Sequence, residues 1–346
     1  MEDLICRIEG RAGRITFNRP AALNALNAPM CAALDDALRG WATDPAVDLV
    51  IIDAAGDRAF CAGGDVAAIY RQAKAGNTAE GQAFWHREYR MNLRIASYPK
   101  PIVSLMQGFT MGGGVGVGCH ASHRIVGETA QIAMPECLIG LVPDVGGTFL
   151  LARSPGRLGE YLGTTGNRMG PADAIFAGFA DHFVPMTDWP ELILALSDCD
   201  INHLERFLKT PPQGELHTLR PQIDAHFGGE TYADILRSLR RDSSDFATRT
   251  QETLARMSPL SASVTVEMLH RLGDTPYMDQ ALALEYRFTF RAQEESDLLE
   301  GIRAALIDKD RRPKWRHARA EDVSGLDVSR LLMPLGAKEW TAEDPE

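Results

Sequence analysis

Two carboxylates eight residues apart, Glu136 and Asp144, lie in MPECLIGLVPDVGG (134–147), a stretch whose prolines and glycines interrupt regular structure. A carboxylate near a carbonyl carbon can attack it, or can take a proton from a water that does so. Two carboxylates held close push one proton affinity upward, which suits a shared acid and base role. Upstream are two glycine clusters, AFCAGGD (59–65) and MGGGVGVG (111–118), and the polar HREY (86–89), which carries Glu88. Glycine lets a backbone N–H approach a ligand closely, and a helix start adds donors and a positive dipole end. Two such amides from two loops would make a hole for a developing oxyanion. A thioester carbonyl is a suitable guest, because hydrolysis and enolisation both put negative charge on its oxygen.

Other chemistries find less support. Cys137 follows Glu136 directly, but no histidine accompanies it, and an isolated cysteine reads as a small buried hydrophobe. His120 and His123 lack a third metal ligand. There is no GxSxG elbow and no GxxxxGK[ST] loop, so a serine hydrolase or P-loop nucleotide site is not expected.

The elements that must position these groups alternate between strand and helix. Residues 3–18 read as a hairpin broken at Gly10 and Gly13. Asn27 is placed to cap a helix, with Pro29 in its first turn and Met30, Leu34, Leu38 and Trp41 at helical spacing. VDLVIIDA (47–54) is a near-continuous apolar run, as expected of a strand covered on both faces. A helix over about 81–97, a second buried strand at 101–106 and strands near 124–126 and 132–134 continue the pattern. After Pro185 the extended signals vanish, and YADILRSLRR and DQALALEYRFTFRAQ carry helical spacing, with LKTPPQ (208–213) as a linker. The expected fold class is α/β, with residues 1–185 as the core and 186–346 as a mainly helical C-terminal region; the last residues, WTAEDPE, read as a frayed tail.

In order and spacing, ITFNRPAALNAL, AFCAGGDV, KPIVSLMQGFTMGGGVG and MPECLIGLVPDVGGTF resemble the crotonase (enoyl-CoA hydratase/isomerase) superfamily. The resemblance implies a ββα superhelix core and a site that takes an acyl-CoA thioester, with Gly64 and Gly113 supplying the oxyanion amides. Hydratases of the family carry two glutamates. This sequence has Gly116 at the first position, three residues after Gly113, and Glu136 at the second. Asp144 stands where hydratases usually have glycine. That combination, with Glu88, MSPLS (257–261), EYRF (285–288) and DLLEGIRAALIDKDRRPKW (297–315), is similar to the branch that hydrolyses 3-hydroxyacyl-CoA thioesters.

The resemblance therefore implies hydrolysis of 3-hydroxyisobutyryl-CoA or a close 3-hydroxyacyl-CoA, as in valine breakdown. Glu136 would be the base or nucleophile, Asp144 would bind the 3-hydroxyl or position Glu136 and water, and Glu88 would contact the acyl end. Asp65 reads as a helix cap. The competing expectations are a hydratase or isomerase that works through Glu136 alone, and a non-catalytic acyl-CoA-binding protein. No metal or redox cofactor is implied, since CoA belongs to the substrate. Family relatives often form trimers, but no sequence signal decides the oligomeric state of this chain.

Composition bounds these readings. The 346 residues are 45% apolar and 24% charged, as in an ordinary globular protein, and their net charge of −11 argues against a nucleic-acid surface. Cys6, Cys31, Cys61, Cys119, Cys137 and Cys199 are scattered, which suits reduced thiols. No basic-then-apolar leader, transit peptide or membrane-length apolar run is evident, so the expectation is a cytoplasmic protein with no membrane partner. CoA phosphates need cations, and Arg19, Arg58, Lys100, Lys309 and Lys314 lie beside the relevant segments without any one being singled out.

Overall fold

The structure is a computed structural model that describes residues 2–198, 201–274 and 276–342. Cys199 and the last four residues of the tail lie outside the described residues. The chain forms two compact units, residues 1–64, 87–133 and 168–217 in the first and 65–86, 134–167 and 218–346 in the second. Neither unit is one continuous stretch of chain.

The first unit carries the strands: β1 (Leu4–Glu9), β2 (Ala12–Phe17), β3 (Leu49–Ala54), β4 (Ala59–Cys61), β5 (Ile102–Met106), β6 (Phe109–Met111), β7 (His123–Val126), β8 (Gln131–Ala133) and β9 (His182–Phe183). One sheet has the order β1-β2-β3-β5-β7-β9 and the other the order β4-β6-β8. The β1–β2 hairpin is antiparallel, as the Gly10 and Gly13 break predicts, and the remaining pairs are parallel.

The near-continuous apolar runs are explained by burial. Alternate residues of one face, Leu49, Ile51, Val103, Leu105 and Ile125, pack into a core with Val184, Trp189, Leu192 and Leu196. The helix Ala28–Ala42 forms where its spacing predicts: the Asn27 side chain accepts from the Met30 amide at 2.9 Å, and Met30, Leu34 and Leu38 are buried. Trp41 covers the hairpin, where a Cβ on Gly13 would lie 2.4 Å from its ring, so only glycine fits beneath it.

Three times a strand of the large sheet is followed by a short strand of the small one and then by a helical turn. This is the expected ββα repeat. Each chemistry-bearing segment follows the carboxyl end of a short parallel strand: 62–65 after β4, 112–114 after β6 and 134–136 after β8. Parallel strands commonly deliver functional loops from that end.

Among the described residues all nine strands belong to the first unit, and the second forms helices and turns. Pro259–Leu272 packs against Gly147–Ala152 and Leu158–Thr165, and Met278–Glu295 also packs on Gly147–Ala152. No helix among the described residues is long and apolar enough to cross a membrane.

Candidate active site

The site residues fall into two groups, one within each unit. In the first, the segment after β4 turns at Gly63, whose φ of +112° is a backbone shape that L side chains rarely adopt. The Leu26 amide donates to the Gly63 carbonyl at 2.9 Å, which pins the turn and pairs Leu26 with Gly64. After β6, Gly112 has φ +49° and Gly113 is the first residue of the helix Gly113–Gly118. Among the described residues, neither the Gly64 nor the Gly113 amide donates to a protein acceptor.

The spacing of these amides is tight. A Cβ on Gly113 would stand 2.9 Å from Glu88 Oε1 and 3.4 Å from the Gly64 nitrogen. Gly64, Gly113 and Glu88 are thus neighbours, with Glu88 only 2% exposed. Gly114 serves a different purpose, because a Cβ there would lie 2.1 Å from the Cys61 carbonyl oxygen. Its missing side chain lets the helix seat against β4. Gly116, farther along the same helix, brings no carboxylate.

In the second unit, Glu136 opens a single 3-10 turn, Glu136–Ile139, that ends on left-handed Gly140. Glu136 is 5% exposed, and its Oε2 is buried with no hydrogen-bond partner among the described residues. An unpaired buried carboxylate is costly in the charged form. Burial therefore holds its proton affinity well above the usual glutamate range, and the negative fields of Asp144 and Glu285 add to the effect. Asp144, 4% exposed, is near enough for its negative charge to act on Glu136.

The C-terminal motifs brace the Glu136 turn. A Cβ on Gly140 would lie 2.4 Å from the Asp297 carbonyl carbon, and one on Gly301 would lie 2.1 Å from the Ile139 oxygen. Asp297, 1% exposed, accepts from Ser258 Oγ at 2.6 Å and from the Arg316 amide at 2.9 Å, while the Ser258 amide donates to the Cys137 carbonyl at 2.9 Å. The serine of MSPLS and the Asp and Gly of DLLEG therefore hold the backbone that carries Glu136.

A further carboxylate, Glu285 on the helix Met278–Glu295, is fully buried. It accepts the Gly146 amide at 2.8 Å, the Thr148 amide at 3.0 Å and the Thr148 hydroxyl. Burial pushes its carboxyl up to about 8 against the pull of the Thr148 and Gly146 donors. Sequence reading gave Glu285 no role, although a signal was present: it falls on the buried stripe Ala281, Glu285, Phe288, Ala292, where a charge is out of place.

Cys137 is packed as a small hydrophobe. Its Sγ lies 3.4 Å from the Gly163 oxygen and 3.5 Å from Thr265 Oγ1, and burial pushes the thiol up to about 12. Asp65 caps the helix Val66–Lys74 by accepting the Ala68 amide at 3.4 Å. Among the candidate phosphate ligands, Lys100 is occupied with the Trp41 and Asp44 carbonyls at 2.5 and 2.7 Å.

Comparison with known proteins places this geometry in a family. The Enoyl-CoA hydratase/isomerase family model matches residues 12–332. The chain belongs to that family. It is similar to the mitochondrial 3-hydroxyisobutyryl-CoA hydrolase of Gallus gallus, 38% identical over 96% of this chain and 89% of that protein. The Rattus norvegicus protein of the same name is 39% identical over 97% of this chain and 90% of its own length. Among solved structures, an enoyl-CoA hydratase from Rhodobacter sphaeroides 2.4.1 is 58% identical with a TM-score of 0.95, covering 98% of this chain and 100% of that one. A carnitinyl-CoA dehydratase from Mycobacterium thermoresistibile is 41% identical with a TM-score of 0.95, covering 100% of both chains. The chain is thus an enzyme of this family, and its curated relatives group it with the CoA thioester hydrolases.

One expectation is corrected. The curated relatives are named as mitochondrial proteins, which overturns the cytoplasmic assignment. That assignment rested on compartment signals, which are read apart from the folded core and leave no mark on the residues that build the site.

Proposed function

We propose that this enzyme hydrolyses the thioester of 3-hydroxyisobutyryl-CoA, or of a close 3-hydroxyacyl-CoA, to the free acid and CoA, as in valine breakdown. The observation that carries the reading is Glu136: a buried carboxyl whose Oε2 has no hydrogen-bond partner among the described residues, raised in proton affinity by burial and by Asp144. A carboxyl of raised proton affinity takes a proton from water more readily than an ordinary glutamate, as a general base must.

In this reading the amides of Gly64 and Gly113 donate to the thioester oxygen. Glu136 removes a proton from water as that water adds to the carbonyl carbon, and the electron pair of the carbonyl moves onto the oxygen. When the tetrahedral intermediate collapses, the carbon–sulfur bond breaks, and the CoA sulfur leaves with the proton that Glu136 returns. Alternatively, Glu136 adds to the carbonyl itself and expels CoA as an anhydride forms, which water then opens. Asp144 binds the 3-hydroxyl or positions Glu136 and water, and Glu88 lies against the acyl end.

A second reading, a hydratase or isomerase working through Glu136, draws on the names of the two solved structures. The first of the two hydratase glutamates is replaced by Gly116 here, and Asp144 is an added carboxylate, so the hydrolase reading is preferred. Thiol release from 3-hydroxyisobutyryl-CoA, measured beside hydration of crotonyl-CoA, separates them. The hydrolase reading expects rapid CoA release with little hydration, and the reverse result hands the chain to the second reading.

A further inference from the structure

The Gly146–Thr148 turn, which follows Asp144 directly, is held by an acidic side chain from a helix more than a hundred residues away in sequence. Three donors of this turn, two amides and one hydroxyl, meet one carboxylate that is fully buried. Glycine at 146, with φ +78°, and at 147, where a Cβ would lie 2.4 Å from Met134 Cε, keeps the turn free of side chains. The Asp144 carbonyl accepts the Gly147 amide at 2.7 Å, so the same few atoms fix the backbone of Asp144. Three donors need a partner that accepts on both oxygens, which a carboxylate supplies and a neutral amide does not.

We propose that Glu285 is a positioning residue for the reaction: by gripping the amides of Gly146 and Thr148 and the Thr148 hydroxyl, it fixes where Asp144 stands relative to Glu136. This rests on the reading above that Asp144 and Glu136 belong to the chemistry. Gln at 285 would keep one carbonyl oxygen but turn an NH2 group toward an amide donor, so the turn would lose at least one of its anchors. Thr148→Val removes only the hydroxyl and keeps the volume, so it loosens the same clamp more gently.

The test is a double-mutant cycle on kcat between Glu285→Gln and Asp144→Asn, with a thermal melt of each variant to fix the folded fraction. Displacing a catalytic group by an ångström can cost about 10²-fold in rate, and each single variant is expected to fall by about that factor. If Glu285 acts through Asp144, the double variant is no slower than the slower single. A double variant whose losses multiply overturns the proposal, as does a Glu285→Gln enzyme with unchanged kcat per folded molecule. Thr148→Val replaces Glu285→Gln in the same cycle if the latter fails to fold. Should the wild type release no CoA, the hydrolase reading fails, and the cycle is run on whichever acyl-CoA reaction the wild type performs.

Discussion

Gly113 and Glu88 are so close that a single methyl group on the glycine would stand 2.9 Å from the glutamate Oε1. The same methyl would lie 3.4 Å from the Gly64 amide nitrogen. Gly113→Ala therefore intrudes on the space proposed for the thioester oxygen. Alanine keeps the amide, but displacing the oxygen from it by about an ångström can cost about 10²-fold in kcat, and a drop of that size is expected with a nearly native melting temperature. Gly114→Ala should behave in the opposite way. Its Cβ meets the Cys61 backbone oxygen at 2.1 Å, so the fold itself yields, visible as a lowered melting temperature. Paired kinetics and melts of the two variants check the distinction.

The pH dependence follows from burial and like charge. Glu136 must be ionised to act, and burial, then Asp144, then Glu285 raise its affinity for a proton. The acid limb of the kcat/KM profile should accordingly lie well above the usual glutamate range. Asp144→Asn removes one negative neighbour, which lowers the proton affinity of Glu136 and moves the limb to lower pH. A limb that stays put in Asp144→Asn would show that the two carboxyls do not titrate together.

The same burial has a stability consequence. A carboxyl whose proton affinity is higher in the folded state than in the unfolded one binds more protons when folded, so stability falls as pH rises through that window. Glu136→Gln removes the penalty. Its melting temperature should exceed that of the wild type at pH 8, by a free energy of about 1–3 kcal/mol if the unpartnered oxygen carries the full cost. Near pH 4, where both states are largely protonated, the gap should shrink. Parallel melts at the two pH values measure this directly.

Cys137 supplies a control beside the proposed catalytic carboxylate. Its thiol is buried and pushed up to about 12, so it is neither ionised nor accessible as a nucleophile at neutral pH. Cys137→Ala should keep kcat within a few-fold while losing roughly 1 kcal/mol from the small cavity. A loss of activity comparable to that of a catalytic variant would assign the sulfur a chemical role.

These residues also show what the sequence made legible. The Asn27 cap, the first hairpin and the long buried strands could be read because their signals are local: a cap and its helix, or an uninterrupted apolar run. The three-residue strands β4, β6 and β8 are too short to carry a period, and the order in which parallel strands pair depends on contacts far apart in sequence. Gly64, Gly113 and Glu136 stood out through motif resemblance. Glu285 did not, because its partners Gly146 and Thr148 lie well over a hundred residues away. The bracing of the Glu136 turn by Asp297 and Gly301 was hidden for the same reason: a side chain's contacts across the fold are not written in its neighbours along the chain.

The central claim is that the Glu136 carboxylate performs thioester hydrolysis, and CoA release by Glu136→Gln tests it most directly. Gln keeps the shape and burial of the side chain but can neither accept a proton from water nor attack as an anion. The account predicts that release of CoA from 3-hydroxyisobutyryl-CoA falls by at least about 10²-fold, the contribution typical of a general base, in a variant that remains fully folded. A Glu136→Gln enzyme that releases CoA at nearly the wild-type rate would contradict it.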